Sequence, residues 1–208
     1  MEIKNKKHKL KNYNLIIFCS LSLCLLYYTN RTNVDIRKKL KNASTTIETL
    51  SLERALLLDN IMLHYTYNDK KIPNLLLYTI DGDSLHLSEL LNDDYKLLIR
   101  FSQLNCSSCI DDIFEGLRQV VNKFPSNTVI LIGTYDNQRV FQAFIKNYSL
   151  PYSIYYSRNS EDVLKEENIP YCCLINNDRI LKNLMIPMKE IPAYSRRYYE
   201  IVLNRFLK

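Results

Sequence analysis

Cys106-Ser107-Ser108-Cys109 stands between an apolar, strand-like run, Leu97-Leu98-Ile99-Arg100-Phe101, and a helix-like stretch from Ser107 to Phe124. A Cys-x-x-Cys at a strand-to-helix junction points to redox chemistry. At a helix start several backbone N–H groups lack intrahelical partners and the peptide dipoles present positive charge, so a thiolate is favoured over a thiol. Cys106 is therefore the candidate nucleophile. Cys109, three residues on, shares nearly the same helical face and can attack a mixed disulfide formed at Cys106, the part of a resolving thiol.

A chain of 208 residues accommodates one ordinary domain with appendages. Its net charge is +6, of which the lysines at 4, 6, 7, 9 and 11 against Glu2 supply four units. The remainder is nearly neutral, which gives nucleic-acid binding no support. Six cysteines fall in pairs, and only the 106/109 pair has redox spacing. Cys172 and Cys173 on a strand would point to opposite faces as core filling, with a vicinal disulfide or an auxiliary thiol pair as the sharper alternatives.

Residues Leu15 to Tyr28 (LIIFCSLSLCLLYY) are uncharged and follow the lysine cluster, the plan of a secretory signal or signal anchor. Leu26, Tyr27 and Tyr28 offer no small residues for cleavage, so an uncleaved single-pass anchor is expected. Leu23 before Cys24 argues against lipidation. Arg31, Arg37, Lys38, Lys39 and Lys41 follow the span and blur its orientation. Ile36, Leu40, Ala43, Ile47, Leu50, Arg54, Leu57 and Ile61 then alternate spacings of four and three, a coiled-coil seam broken at Arg54 that would permit a homodimer through residues 36–61. A capping-box pattern at Thr45-Thr46-Ile47-Glu48 instead predicts a helix from Thr46 to Leu63, and a spacer helix lying on its own domain is the favoured reading. The expected organisation is a basic segment and anchor over 1–30, a helical linker over 31–71 and a globular domain over 72–208.

From Ile72 onward the elements alternate. Leu75 to Ile80 and Leu85 to Leu87 form a hairpin about Asp81-Gly82-Asp83. Lys96 to Phe101, Thr128 to Gly133 and Tyr152 to Tyr156 read as strands. Ser107 to Phe124, Gln138 to Asn147 and Glu161 to Glu166 read as helices. Cys172 to Ile175 and Ile180 to Met185 form a second hairpin, and Ala193 to Phe206 closes the chain as a helix. The fold class is an α/β sandwich with a mixed central sheet flanked by helices.

Residues Ile72 to Phe206 resemble the thioredoxin-like fold, and most closely the membrane-anchored TlpA-like thiol-disulfide oxidoreductases of bacterial envelopes. The resemblance rests on Ile72-Pro73-Asn74-Leu75, on the hairpin Asp81-Gly82-Asp83-Ser84-Leu85-His86-Leu87-Ser88-Glu89-Leu90, on Phe101 five residues before the first cysteine, and on Ile169-Pro170 ahead of Tyr171-Cys172-Cys173-Leu174-Ile175-Asn176. It implies a cis peptide at Pro170, exposing the backbone of Ile169 to pair with an extended substrate beside Cys106. Ile169 and Pro170 are accordingly the candidate substrate-binding residues, with Cys106 and Cys109 catalytic. Ser102-Gln103-Leu104-Asn105 replaces the aromatic residues usual in the family, the chain has no tryptophan, and Ser107-Ser108 stands where proline is usual.

No cofactor and no metal are expected. A peroxiredoxin would want a proline and a threonine where Ile99 and Gln103 stand, and a copper chaperone of the related fold a histidine downstream of the dithiol, whereas the histidines are His8, His64 and His86. Zinc held by Cys106, Cys109, Cys172 and Cys173 lacks the usual pair spacing. The expectation is a membrane-tethered thiol-disulfide oxidoreductase, a reductase by preference, acting on protein disulfides with a separate electron donor. Its domain would face the envelope, on the periplasmic side of the membrane. The alternative is a catalytically weak thioredoxin-like binding module of the cell envelope.

Overall fold

The computed structural model describes residues 2–120, 123–125, 127–148, 150–158, 163–164 and 169–207, with the backbone alone for 2–16. The chain divides into two compact units, Met1–Leu52 and Glu53–Lys208. Helix α1, Glu2–Tyr67, begins in the first and ends in the second.

Within the first unit a lone helix has nothing against which to bury apolar residues, and Ile17, Phe18, Leu21, Leu23, Leu25 and Leu26 are exposed. No helix among the described residues is long and apolar enough to cross a membrane. The apolar run from Leu15 to Tyr28 is about 21 Å of helix at the usual rise, short of a hydrocarbon core of about 30 Å. The expected helix start at Thr45 is also absent. Thr45 Oγ1 donates to the Lys41 carbonyl at 3.0 Å and Thr46 Oγ1 to that of Asn42 at 2.9 Å, so these hydroxyls bond back one turn inside a continuous helix.

In the second unit the end of α1 lies on its own domain. Leu56, Leu57, Asn60, Leu63, His64 and Tyr67 recur on one face and are at least half-buried, while Arg54 and Ile61 of the heptad seam stay exposed. The helix stops at Tyr67. Asp69 takes a left-handed φ of 68°, and its N–H donates to the Leu181 carbonyl at 2.8 Å.

Seven strands form one mixed sheet: β1 (Leu76–Tyr78), β2 (Ser84–His86), β3 (Lys96–Ser102), β4 (Val129–Thr134), β5 (Ser153–Ser157), β6 (Tyr171–Ile175) and β7 (Lys182–Met185), in the order β2-β1-β5-β4-β3-β6-β7. The β3–β4 and β4–β5 pairs are parallel; β1 with β2 and with β5, β3 with β6, and β6 with β7 are antiparallel. The helices are α2 (Ser107–Val120), α3 (Gln138–Ile145) and α4 (Pro192–Phe206). Two expected hairpins, three strands and three helices are thus present within a few residues of their expected bounds. The expected helix from Glu161 to Glu166 lies outside the described residues, as do positions 121–122 near the expected end of α2.

Alternation along the strands divides the core in two. Leu97, Ile99 and Phe101 of β3 join α2 and α4 on one face, and Leu98 joins Tyr67 and Leu87 on the other. Helix α2 buries Ile110, Ile113, Phe114, Leu117 and Val120, each worth about 1.5–3 kcal/mol of apolar transfer. Phe101 and Phe114 meet edge-to-face with centroids 5.4 Å apart, which fixes the end of β3 against the start of α2.

Candidate active site

The dithiol is positioned by a tight turn at the end of β3. The Asn105 side chain accepts from the Ser102 N–H at 2.7 Å, and the Asn105 N–H returns to the Ser102 carbonyl at 3.1 Å. Gln103 ties the turn to the neighbouring strand: its N–H donates to the Thr134 carbonyl at 3.0 Å and its side-chain oxygen accepts from the Asp136 N–H at 3.1 Å. Ser102-Gln103-Leu104-Asn105 therefore braces the site by hydrogen bonding. Leu104 is 70% exposed at the rim.

Cys106 immediately precedes α2, and its carbonyl accepts from the N–H groups of Cys109 and Ile110 at 3.0 and 3.2 Å. Cys106 is exposed and Cys109 half-buried, both as free thiols, with their Sγ atoms 2.9 Å apart. Hydrogen bonds from the Cys109 thiol, the Ser108 hydroxyl and the Cys109 N–H, together with the charge of Lys189, lower the Cys106 pKa to about 7. Burial, the bond to Cys106 and its charge raise that of Cys109 to about 11. One thiol is thus ready as a thiolate near neutrality while the other keeps its proton.

Asp111 and Asp112 sit one turn further into α2 than a helix-start role requires. Tyr148 donates a short hydrogen bond to Asp111 Oδ1. Asp112 is half-buried, and burial followed by the charge of Glu190 raises its carboxyl pKa. Asp111 remains exposed, whereas Asp112 is drawn toward the core.

Ile169 is half-buried and Pro170 buried, just before β6. Arg100 pairs with Tyr171, so one further step of the antiparallel register sets Pro170 beside Phe101, at the end of β3 that leads to Cys106. The structure therefore brings the Ile169-Pro170 segment and the dithiol to the same end of the sheet. It differs from expectation in one respect: no peptide bond among the described residues is cis. An X–Pro bond favours trans by about 0.5–1 kcal/mol unless its surroundings reverse that preference.

Cys172 and Cys173 are fully buried on opposite faces of β6, in separate core clusters, as strand alternation requires. Burial raises the Cys172 thiol to about 12 despite the Tyr199 hydroxyl 3.6 Å away. With Cys173 facing the other side of the sheet, the four cysteines do not converge on one metal. Lys189 and Glu190, which act on the dithiol from the segment between β7 and α4, are the residues that sequence reasoning missed. Their contacts span about eighty residues, and no local motif marks them.

A mixed sheet with a Cys-x-x-Cys at the start of the helix after an inner strand is the arrangement of a thioredoxin-like fold. The structure is similar to the thioredoxin domain of a thiol-disulfide oxidoreductase from Bacteroides vulgatus, at 13% identity over 63% of this chain and 96% of that one, with a TM-score of 0.45. It is also similar to a thiol:disulfide interchange protein from Bacteroides sp., at 12% identity over 64% and 90%, with a TM-score of 0.46. A third likeness is to the pneumococcal exposed lipoprotein thioredoxin of Streptococcus pneumoniae, at 15% identity over 62% and 99%, with a TM-score of 0.42. No protein-family model matches the sequence, and no curated protein matches it.

Proposed function

We propose that the protein is a thiol-disulfide oxidoreductase that attacks protein disulfides with Cys106 and resolves the mixed disulfide with Cys109. The observation that carries this is the asymmetry of the pair: an exposed thiol lowered to about 7 beside a half-buried one raised to about 11. The Cys106 thiolate attacks one sulfur of the substrate disulfide, forming a mixed disulfide and expelling the other sulfur as a thiolate that takes up a proton. Cys109 then loses its proton and attacks Cys106 Sγ, which frees the reduced substrate and leaves a Cys106–Cys109 disulfide. A donor dithiol returns two electrons to begin the next cycle. An extended substrate segment would align beside Ile169, with Pro170 packed behind it.

Reduction is the proposed direction and the envelope the proposed compartment, with Lys4 to Lys11 cytoplasmic and residues 29–208 across the membrane. The uncovered apolar side chains between Ile17 and Tyr28 support a membrane tether. The activity is tested by following the reduction of a disulfide-bonded model protein, insulin, by the full chain with dithiothreitol as donor. Turnover above the dithiothreitol background that is absent in Cys106→Ser supports the reading, and equal rates contradict it. Placement is tested with Asn68→Cys on a cysteine-free background: labelling in intact cells by an impermeant reagent supports the envelope, and protection until lysis contradicts it.

A further inference from the structure

Lys189 reaches the dithiol from 81 residues away in sequence: its Nζ donates to Ser108 Oγ at 3.3 Å, and Ser108 Oγ lies 2.9 Å from Cys106 Sγ. An ammonium offers donors only, so the Ser108 oxygen must accept from Lys189. The hydroxyl proton is then left to point at the sulfur, which sets the direction of a bond that either atom could otherwise donate.

The segment carrying Lys189 is pegged rather than loose. Asn60 of α1, 3% exposed, donates from Nδ2 to the Ile186 carbonyl at 2.6 Å and accepts from the Ile186 N–H at Oδ1 at 3.2 Å. Met188 is buried, and the Ile191 N–H closes a turn onto its carbonyl at 3.1 Å, across Lys189 and Glu190. The turn directs two charged side chains at the start of α2 from an element outside the dithiol's own loop.

We infer that Lys189 is a positioning residue for the attacking thiol: acting through Ser108, it orients a hydrogen bond onto Cys106 Sγ and supplies the positive charge that holds the thiolate. The electrostatics agree with the geometry. Lys189 lowers the pKa of both thiols, whereas Glu190 raises those of Cys109 and Asp112. The titratable and charged groups that act on Cys106 are thus Cys109 on α2 and Lys189 opposite, with Glu190 acting on Cys109 and Asp112. Where the family has a proline between the cysteines, this chain has a serine, and the serine gives the lysine its route to the sulfur.

The inference rests on Cys106 as the attacking thiol, and its test needs no exchange partner. The reduced full chain is alkylated with iodoacetamide across a pH series, and the Cys106 peptide is quantified by mass. Lys189→Met and Ser108→Ala should each move the midpoint of labelling upward and slow labelling at pH 7 about twofold, the effect of half a pH unit on a midpoint near neutrality. Lys189→Met should slow labelling less in the Ser108→Ala background than in the wild type, where both the hydrogen bond and the charge are lost, and Lys189→Arg should restore the wild-type profile. A Lys189→Met profile superimposable on wild type would overturn the inference, as would effects of the two substitutions that add in full. Loss of insulin reduction with the relay intact would count against the proposed function alone.

Discussion

Cys106 Sγ and Cys109 Sγ lie 2.9 Å apart, and this contact is the largest cause lowering the pKa of the first thiol while it adds to burial in raising that of the second. The shared hydrogen bond stabilises a thiolate at Cys106 and a proton at Cys109, so the two sulfurs are chemically distinct before any substrate arrives.

Trapping should expose that difference. Cys109→Ser retains the attacking thiol and should accumulate mixed disulfides with partner proteins, visible as bands that a reductant dissolves on non-reducing gels. Cys106→Ser leaves only the protonated, half-buried thiol and should trap nothing. Equal trapping by both variants would contradict the assignment of roles.

The pH dependence follows from the same shifts. Cys106 has its pKa lowered to about 7, so its thiolate fraction rises through neutrality and alkylation should climb between roughly pH 6 and 8 before levelling off. Cys109→Ala deletes the largest of the lowering contacts. Its midpoint should move up toward the ordinary thiol value, so that labelling at pH 7 is slower than in wild type and labelling at pH 9.5 is similar. A midpoint unchanged by Cys109→Ala would remove the proposed origin of the shift.

Packing beneath the site is tested at Gly133 of β4, where an added Cβ would stand 2.5 Å from Phe141 Cε2 and 3.0 Å from Phe101 Cε2. Neither ring has space to retreat, since both are buried and Phe101 also packs on Phe114. Gly133→Ala should cost about 1–3 kcal/mol, the usual scale of overpacking, read from urea unfolding. Stability equal to wild type would show that the aromatic cluster is looser than its geometry.

The buried cysteines should behave as core atoms. Replacing Cys172 and Cys173 with alanine should lower stability by about 1 kcal/mol each, the scale of a methyl-sized deletion, and leave insulin reduction unchanged. Loss of turnover in a chain whose circular dichroism is intact would give these thiols a chemical role.

Local signals carried much of this architecture. The apolar run at Leu97–Phe101, the amphipathic pattern of α2 and the dithiol between them are contiguous, so strand, helix and site were legible together. Opposite burial of Cys172 and Cys173 followed from strand alternation alone. Contacts between distant segments were not legible: Asn60 meets Ile186 across 126 residues, and Lys189 meets Ser108 across 81. Where a local motif misled, a competing local bond explains it. Thr45 and Thr46 resemble helix caps, yet their hydroxyls bond back to Lys41 and Asn42 and the helix continues. At Pro170 the resemblance implied a cis bond, and the chain keeps the ordinary trans form.

The central claim is that Cys106 and Cys109 form one reversible two-electron couple, and the direct measurement is its redox equilibrium. The purified full chain is equilibrated across a series of reduced and oxidised glutathione, quenched in acid, alkylated and mapped by mass. The account requires a single two-electron transition in which a Cys106–Cys109 disulfide appears and disappears reversibly while Cys172 and Cys173 remain thiols. A pair that stays unlinked through the oxidising end of the series, or a disulfide that forms between other cysteines, would contradict it.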